Sequence, residues 1–511
     1  MFSSLSQKKS VSFLIGIIIL FIGLNLSKAI TSLVTVYMVI LLLIKRKEIV
    51  SLSILRKNKS FRWFLALTFW MVLSLMWSSD KTNGLSLLVS YLNFFIWPLL
   101  MLLFSSHLNQ MKTYILVSFL AIVTFVSIFQ FFYYQVVLFH LDIREMTLFI
   151  SHIRFALMVD IAFFIALYFL YTEKKKWIKI ICIISILWLL FYSYYSQVLS
   201  GILGLIGGVL GYSIYIIFNN TNRKLKFGVT FFLILIGVVL SFIIRDLTVK
   251  EENLVPKDLP KYTKFGNPYE HLVQSKTIEN GHFLDLYYCE KEVDSIWSLR
   301  SKKSLEDFSS TGFKYKFLIK RYLTSKGLRK DAEGMNQLTQ QDVKNIENGV
   351  STIVELESGL IARYKSIKYE LSGNMDPNGH SLLQRVEFLK ASKVILKDNW
   401  LFGVGLGSSM QAFKDTYKRI NSKLTIENQW ESHNQFLNIW ITYGVFGLLL
   451  FIMWLVSIVK NIIRLNALYL IIFFVLISSF LVEETLSTLT GMTLFSFFAG
   501  FFQNQIYLNK E

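Results

Sequence analysis

Residues 227–244 read FGVTFFLILIGVVLSFII, eighteen consecutive positions with no charge and no proline. Wound as an α-helix this stretch is about 27 Å long, close to the hydrocarbon thickness of a bilayer. The pattern recurs on the N-terminal side at 11–27, 29–44, 61–77, 86–104, 113–137, 155–171, 177–194 and 198–218, and on the C-terminal side at 435–458, 466–482 and 488–507, making twelve runs. The first two are short enough to form a tilted hairpin. Hydrophobic residues make up 53% of the 511 residues and charged ones 17%, with 45 Phe against 5 Pro. A mean hydropathy of +0.48 excludes a string of soluble domains. The fold class predicted is an all-α polytopic membrane protein of about 12 transmembrane helices. Cys182 and Cys289 are too few for a disulfide framework or a zinc site.

Charge distribution orients the chain. Of the 53 basic and 34 acidic residues, 29 and 25 lie between Arg245 and Glu431, leaving 24 and 9 for the rest. With the N-terminus in the cytoplasm, 20 of those 24 basic residues fall inside, in clusters such as Lys45-Arg46-Lys47, Lys174-Lys175-Lys176 and Arg223-Lys224, with Lys510 at the end. The short outer loops carry only Lys28, Lys81, Arg144 and Arg154. This is the positive-inside pattern, so the net charge of +19 reports topology and not nucleic-acid binding. Lys8 and Lys9 precede the first run with no small-residue cleavage site after it, which predicts an uncleaved anchor. Three parts follow: transmembrane helices one to nine over 1–244, one large, partly helical outer loop over 245–434, and transmembrane helices ten to twelve over 435–511. Within the loop, 341–370 and 381–397 read as helices, the second with Leu382, Val386, Leu389 and Lys393 in one stripe. Asn374 to Gly379 reads as a turn, and 250–340 has no assignable pattern.

The sharpest local feature is Glu431-Ser432-His433-Asn434-Gln435-Phe436-Leu437, at the start of the tenth span. Ser432 is a good N-cap, which puts His433 in the first helical turn at the outer surface. A helix N-terminus disfavours imidazolium, so a neutral ring able to accept a proton is expected; the alternative is a histidine that merely ends the helix. Arg154, in Ile150-Ser151-His152-Ile153-Arg154-Phe155 at the outer mouth of span six, either binds an anion or pairs with Glu483 or Glu484 beyond span eleven. Gln197 has the same outer address. Arg385 sits on the second loop helix, where a solvated arginine is the default. The glycines of Trp400-Leu401-Phe402-Gly403-Val404-Gly405-Leu406-Gly407 lack the strand–helix setting of a dinucleotide site and fit a tight turn instead. No HExxH, P-loop, GxSxG or metal-spaced cluster is present. Asp160 is the main acid inside a span.

From Arg385 through Gly403-Val404-Gly405 to Ser432-His433-Asn434-Gln435-Phe436-Leu437 and Tyr443-Gly444-Val445-Phe446-Gly447-Leu448-Leu449-Leu450-Phe451, the chain resembles the O-antigen ligase and O-antigen polymerase superfamily of bacterial membrane glycosyltransferases. The resemblance implies a GT-C-like protein of the bacterial inner membrane, with cytoplasmic termini and a periplasmic loop. It implies transfer of a glycan from undecaprenyl diphosphate to an acceptor hydroxyl, such as lipid A-core in lipopolysaccharide biosynthesis, with inversion and without metal or cofactor. Membrane lipids are partners in this picture, and nucleic acid is not. It makes His433 the base and Arg385 the catalytic, diphosphate-binding arginine, with Ser432, Asn434, Glu483 and Glu484 in support. The family's second arginine falls on Ser196-Gln197-Val198-Leu199-Ser200-Gly201, where it is missing; Arg154 then supplies the charge and Gln197 a neutral contact to the diphosphate. A repeat-unit polymerase, a protein O-glycosylating ligase and a polysaccharide transporter stay as alternatives; a transporter would show broken helices in two related halves.

Overall fold

The computed structural model describes residues 2–44, 55, 58–138, 143–248, 256, 258–275, 277–356, 364, 365, 367, 368, 370, 371 and 377–508. Each of the twelve apolar runs is helical, the fourth as two helices, Lys81–Ser90 and Leu92–Leu103. Among the described residues seven helices are long and apolar enough to cross a membrane, and Val11–Leu26, Lys28–Ile44, Ala467–Ser479 and Leu489–Phe502 are shorter apolar ones. The chain is a mostly helical, polytopic membrane protein. The Lys45-Arg46-Lys47 cluster, Lys510 and Asn374–Asp376 of the expected turn lie outside the described residues. Contacts define two units: residues 1–232, 388–422 and 426–511 in one, residues 233–387 and 423–425 in the other.

In the first unit small residues let helices approach closely. Leu199–Asn219 buries Gly201, Gly204, Gly207, Gly208 and Gly211. A Cβ on Gly207 would stand 2.6 Å from the Phe474 carbonyl oxygen, and one on Gly208 would stand 2.1 Å from the Phe164 ring. This helix is thus wedged between His152–Thr172 and Ala467–Ser479, the usual role of small residues between spans. Asp160 is fully buried and faces Gly204.

The helix Gln435–Ile462 is not continuous, although the sequence reads as unbroken: Gly444 sits at φ 69°, ψ −175°. The break frees carbonyls that other parts of the unit take up. Val404 N donates to Ile441 O at 2.8 Å, Gly405 N to Thr442 O at 2.9 Å, and Val445 N to Trp400 O at 2.9 Å. Trp70 Nε1 donates to Tyr443 O at 2.8 Å. Irregular backbone inside a membrane protein requires such internal partners. Gly403 and Gly405 have φ of 72° and 85°, so the glycine segment does make tight turns, and it makes them inside the broken helix's own seam.

The second unit has its own core, in which Trp297, Ile319, Tyr322, Leu323, Met335 and Ile346 are among the most deeply buried residues. The stretch that showed no pattern holds helices Glu290–Arg300, Tyr315–Ser325 and Ala332–Asn336 and a hairpin pairing Ile278 with Phe283 and Glu279 with His282. Its turn is Asn280-Gly281, with φ of 49° and 81°, a legible hairpin signal that the apolar-run reading passed over. Of the helix expected over 341–370, Gln340–Glu347 forms the start, and the described residues 364, 365, 367, 368 and 370 are helical again. Gln340–Glu347 opens on a Thr339–Asp342 capping box and stops before Gly349, at φ 90°, followed by a 3-10 turn at Ile353–Leu356. Residues 357–363 lie outside the described set. Pro377–Gly379 is a single 3-10 turn.

Candidate active site

The helix Gln435–Ile462 begins two residues later than Ser432 would set it. Its N-cap is Asn434, whose Oδ1 accepts from Leu437 N at 3.0 Å. His433 therefore lies outside the first helical turn, with φ at 48° in the left-handed region. Ser432 is drawn elsewhere: its Oγ donates to Glu484 Oε1 at 2.9 Å. Further bonds tie 432–435 to the loop after Ala467–Ser479. Asn434 Nδ2 donates to Leu481 O at 3.0 Å, Gln435 N to Phe480 O at 2.9 Å, and Leu486 N to Gln435 Oε1 at 2.7 Å. The backbone pinned at 434 and 435, with His433 held at φ 48°, thus overrides the local capping preference, while Ser432 Oγ still accepts from Asn434 N at 3.3 Å.

The same loop brings an acid to the imidazole. Glu483 Oε2 is 3.5 Å from His433 Nδ1 and 3.6 Å from Arg154 Nη1. Arg154 and Glu483 side chains are 8% and 7% exposed, whereas that of His433 is 35% exposed. Arg154 also donates through Nε to Thr488 Oγ1 at 3.3 Å and through Nη2 to the Glu484 carbonyl at 3.5 Å. The ion pair between Arg154 and Glu483 is therefore present. Because a carboxylate as well as a helix end faces His433, the helix-dipole argument alone does not describe its surroundings. The ring's face stacks on Phe388, centroids 5.2 Å apart at 22°.

Glu484 adds a second acid. His433 N donates to its Oε1 at 3.0 Å, and Glu431 stands within hydrogen-bonding reach. Burial first, and the neighbouring Glu431 second, hold the Glu484 carboxyl well above the usual carboxylate range. Tyr91, Gln435, Asn438 and Tyr443 line, with Leu67 and Phe94, a cavity of about 20 Å³. That is room for about one water and not for a lipid tail.

Of the residues singled out from the sequence, Arg154, Ser432, His433, Asn434, Glu483 and Glu484 converge. Gln197 does not: it is exposed, at φ 52° in the break between Lys176–Ser196 and Leu199–Asn219, and makes no hydrogen bond to this group among the described residues. Arg385 lies on Ser381–Asn399, in the part counted with the second unit, while Phe388, three residues on, belongs to the first. The expected stripe on that helix is corrected. Val386, Leu389 and Lys393 are exposed, and Phe388, Ala391, Ser392 and Ile395 are buried. Both stripes have helical spacing, and only packing selects between them. Phe388 and Glu431 were legible as residue types but carried no signal of their partners.

Residues 343–452 match the family model described as O-Antigen ligase. This segment holds Arg385, the glycine turn, His433 and the Gly444 break, so the resemblance read from the sequence is shown over it. The match supports a glycosyltransferase of the O-antigen ligase or polymerase type. No curated protein matches the chain.

Proposed function

We propose that the chain is a metal-independent, inverting glycosyltransferase that moves a glycan from undecaprenyl diphosphate to a hydroxyl of lipid A-core, at the periplasmic face of a bacterial inner membrane. Supporting this reading above all is His433: a partly exposed imidazole fixed between a stacked Phe388 and the Glu483 carboxylate, inside the matched segment. Glu483 faces Nδ1, which leaves Nε2 to take the proton from the acceptor hydroxyl. As that oxygen bonds to the anomeric carbon, the bond from carbon to the carrier's diphosphate oxygen breaks and the configuration inverts. Glu483 stabilises the imidazolium so formed, as the acid of a catalytic triad does. The diphosphate leaves with the bonding electrons, and Arg385 supplies the guanidinium that holds it. Arg154, engaged with Glu483, acts through that carboxylate.

His433→Ala and Arg385→Ala should each abolish glycan transfer at normal membrane levels of protein, and full activity in either removes the mechanism. A deletion strain separates the acceptor readings by its lipopolysaccharide: core without O-chain for the ligase, core with one repeat for a polymerase, and carrier-linked glycan held on the cytoplasmic side for an exporter.

A further inference from the structure

We propose that Glu484 is a positioning residue: by sharing a proton with Glu431 it latches the Ser432–His433 turn and so aims the imidazole. This deepens the functional reading above and rests on it. Glu484 Oε1 is where the turn is held, accepting from Ser432 Oγ at 2.9 Å and His433 N at 3.0 Å. The turn needs holding, since a non-glycine residue resists the left-handed conformation that His433 adopts. Asn434 and Gln435 are fastened on its other side, to Leu481 O and Phe480 O. Glu484 is thus the side chain that fixes the near side of the turn.

The Glu484 carboxyl also lies within hydrogen-bonding reach of Glu431, and with Oε1 taken by the turn its second oxygen is the one left for that contact. Two carboxyls within hydrogen-bonding reach repel when both are ionised and bond when one proton lies between them. Among the described residues, the other charged and titratable groups around the pair are Glu483, Arg154, His433, Tyr91 and Tyr443. Arg154 is the cation among them; it pairs with Glu483, donates to the Glu484 carbonyl and also attracts the Glu484 carboxylate, more weakly than it does Glu483. One shared proton therefore relieves the crowding of three acids. It leaves Oε1 free to accept from the turn, and its loss drives Glu431 and Glu484 apart and slackens the latch.

The sign follows from the raised value of the Glu484 carboxyl. The latch is closed below that value and opens as the pH rises through it. Transfer should fall on the alkaline side, with a limiting slope of about tenfold per pH unit for one proton.

The test measures kcat and donor KM against pH for the full-length protein in membranes, using carrier-linked glycan as donor. Glu484→Gln keeps an acceptor toward the turn and gains an amide donor toward Glu431. Glu431→Gln offers an amide to a Glu484 carboxylate. Both variants should lack the alkaline fall. Glu484→Ala should lose about a hundredfold in kcat at every pH, with donor KM little changed, since a misaimed group costs rate on that scale. Equal protein levels and a monodisperse profile guard against misfolding. Alkaline falls in both glutamine variants that overlay the wild type would overturn the shared proton. Wild-type kcat in Glu484→Ala would overturn the latch. His433→Ala runs alongside: if it still transfers glycan, the functional reading falls and takes the latch with it; if it is inactive, a negative result with the glutamates is a failure of the latch alone.

Discussion

Replacing Arg154 by alanine separates two roles that the sequence could not, an anion-binding arginine and the partner of Glu483. The guanidinium stands 3.6 Å from Glu483 Oε2, with both side chains under a tenth exposed. Its other contacts are Thr488 Oγ1 at 3.3 Å and the Glu484 carbonyl at 3.5 Å. Removing one member of a buried pair typically costs about 3–5 kcal/mol, because the other charge stays behind. The contacts here are long, which places the expected loss near the lower end, about 3 kcal/mol. Adding Glu483→Gln removes the stranded charge, so the double variant should recover part of the loss, with a coupling of about 1–3 kcal/mol. The assay is thermal unfolding of the full-length protein in detergent, read by intrinsic fluorescence, for the wild type, both single variants and the double. Additive losses would refute the ion-pair reasoning. So would wild-type stability in Arg154→Ala combined with a raised donor KM, which would put the guanidinium on the donor.

Two further predictions probe the scaffold. A Cβ on Gly444 would lie 2.1 Å from the Leu401 carbonyl oxygen at a φ of 69°, so Gly444→Ala should open the seam with 400–405 and lower the yield of monodisperse protein. Gly237→Ala, with nothing within 4 Å, is the matched control, and equal behaviour of the two variants would remove the seam argument. In the second unit, burial alone would raise the Asp342 carboxyl, but Lys326, Tyr322 and Thr339 outweigh it and pull it down to about 2. A depressed folded value means that its contribution is complete above the ordinary carboxylate range and is lost as pH falls toward 2. Asp342→Asn should therefore make this unit more susceptible to proteolysis at pH 6 and flatten the change between pH 6 and 3; an unchanged acid dependence would contradict the assignment.

Burial in a membrane is a property of composition along the chain. Apolar runs, their flanking lysines and arginines and the Ser432-His433-Asn434 and Gly403–Gly407 motifs could thus be read in one dimension, and each run proved to be helical, the fourth in two pieces and the tenth broken at Gly444. Local rules failed where two distant segments compete for the same group. Ser432 had the chemistry of a cap, but bonds from Asn434 and Gln435 to Leu481 and Phe480, and from Ser432 to Glu484 fifty-two positions away, hold the turn so that Asn434 caps the helix instead. The tenth span read as continuous because nothing local to Gly444 announces that Val404 and Gly405 would take its carbonyls. The loop helix had two apolar stripes of equal periodicity, and only contact with the rest of the unit chose Phe388 over Leu389. That Arg154 meets Glu483, and Glu483 meets His433, is decided by three segments whose proximity is set by packing energy summed over many residues, which no window of sequence contains.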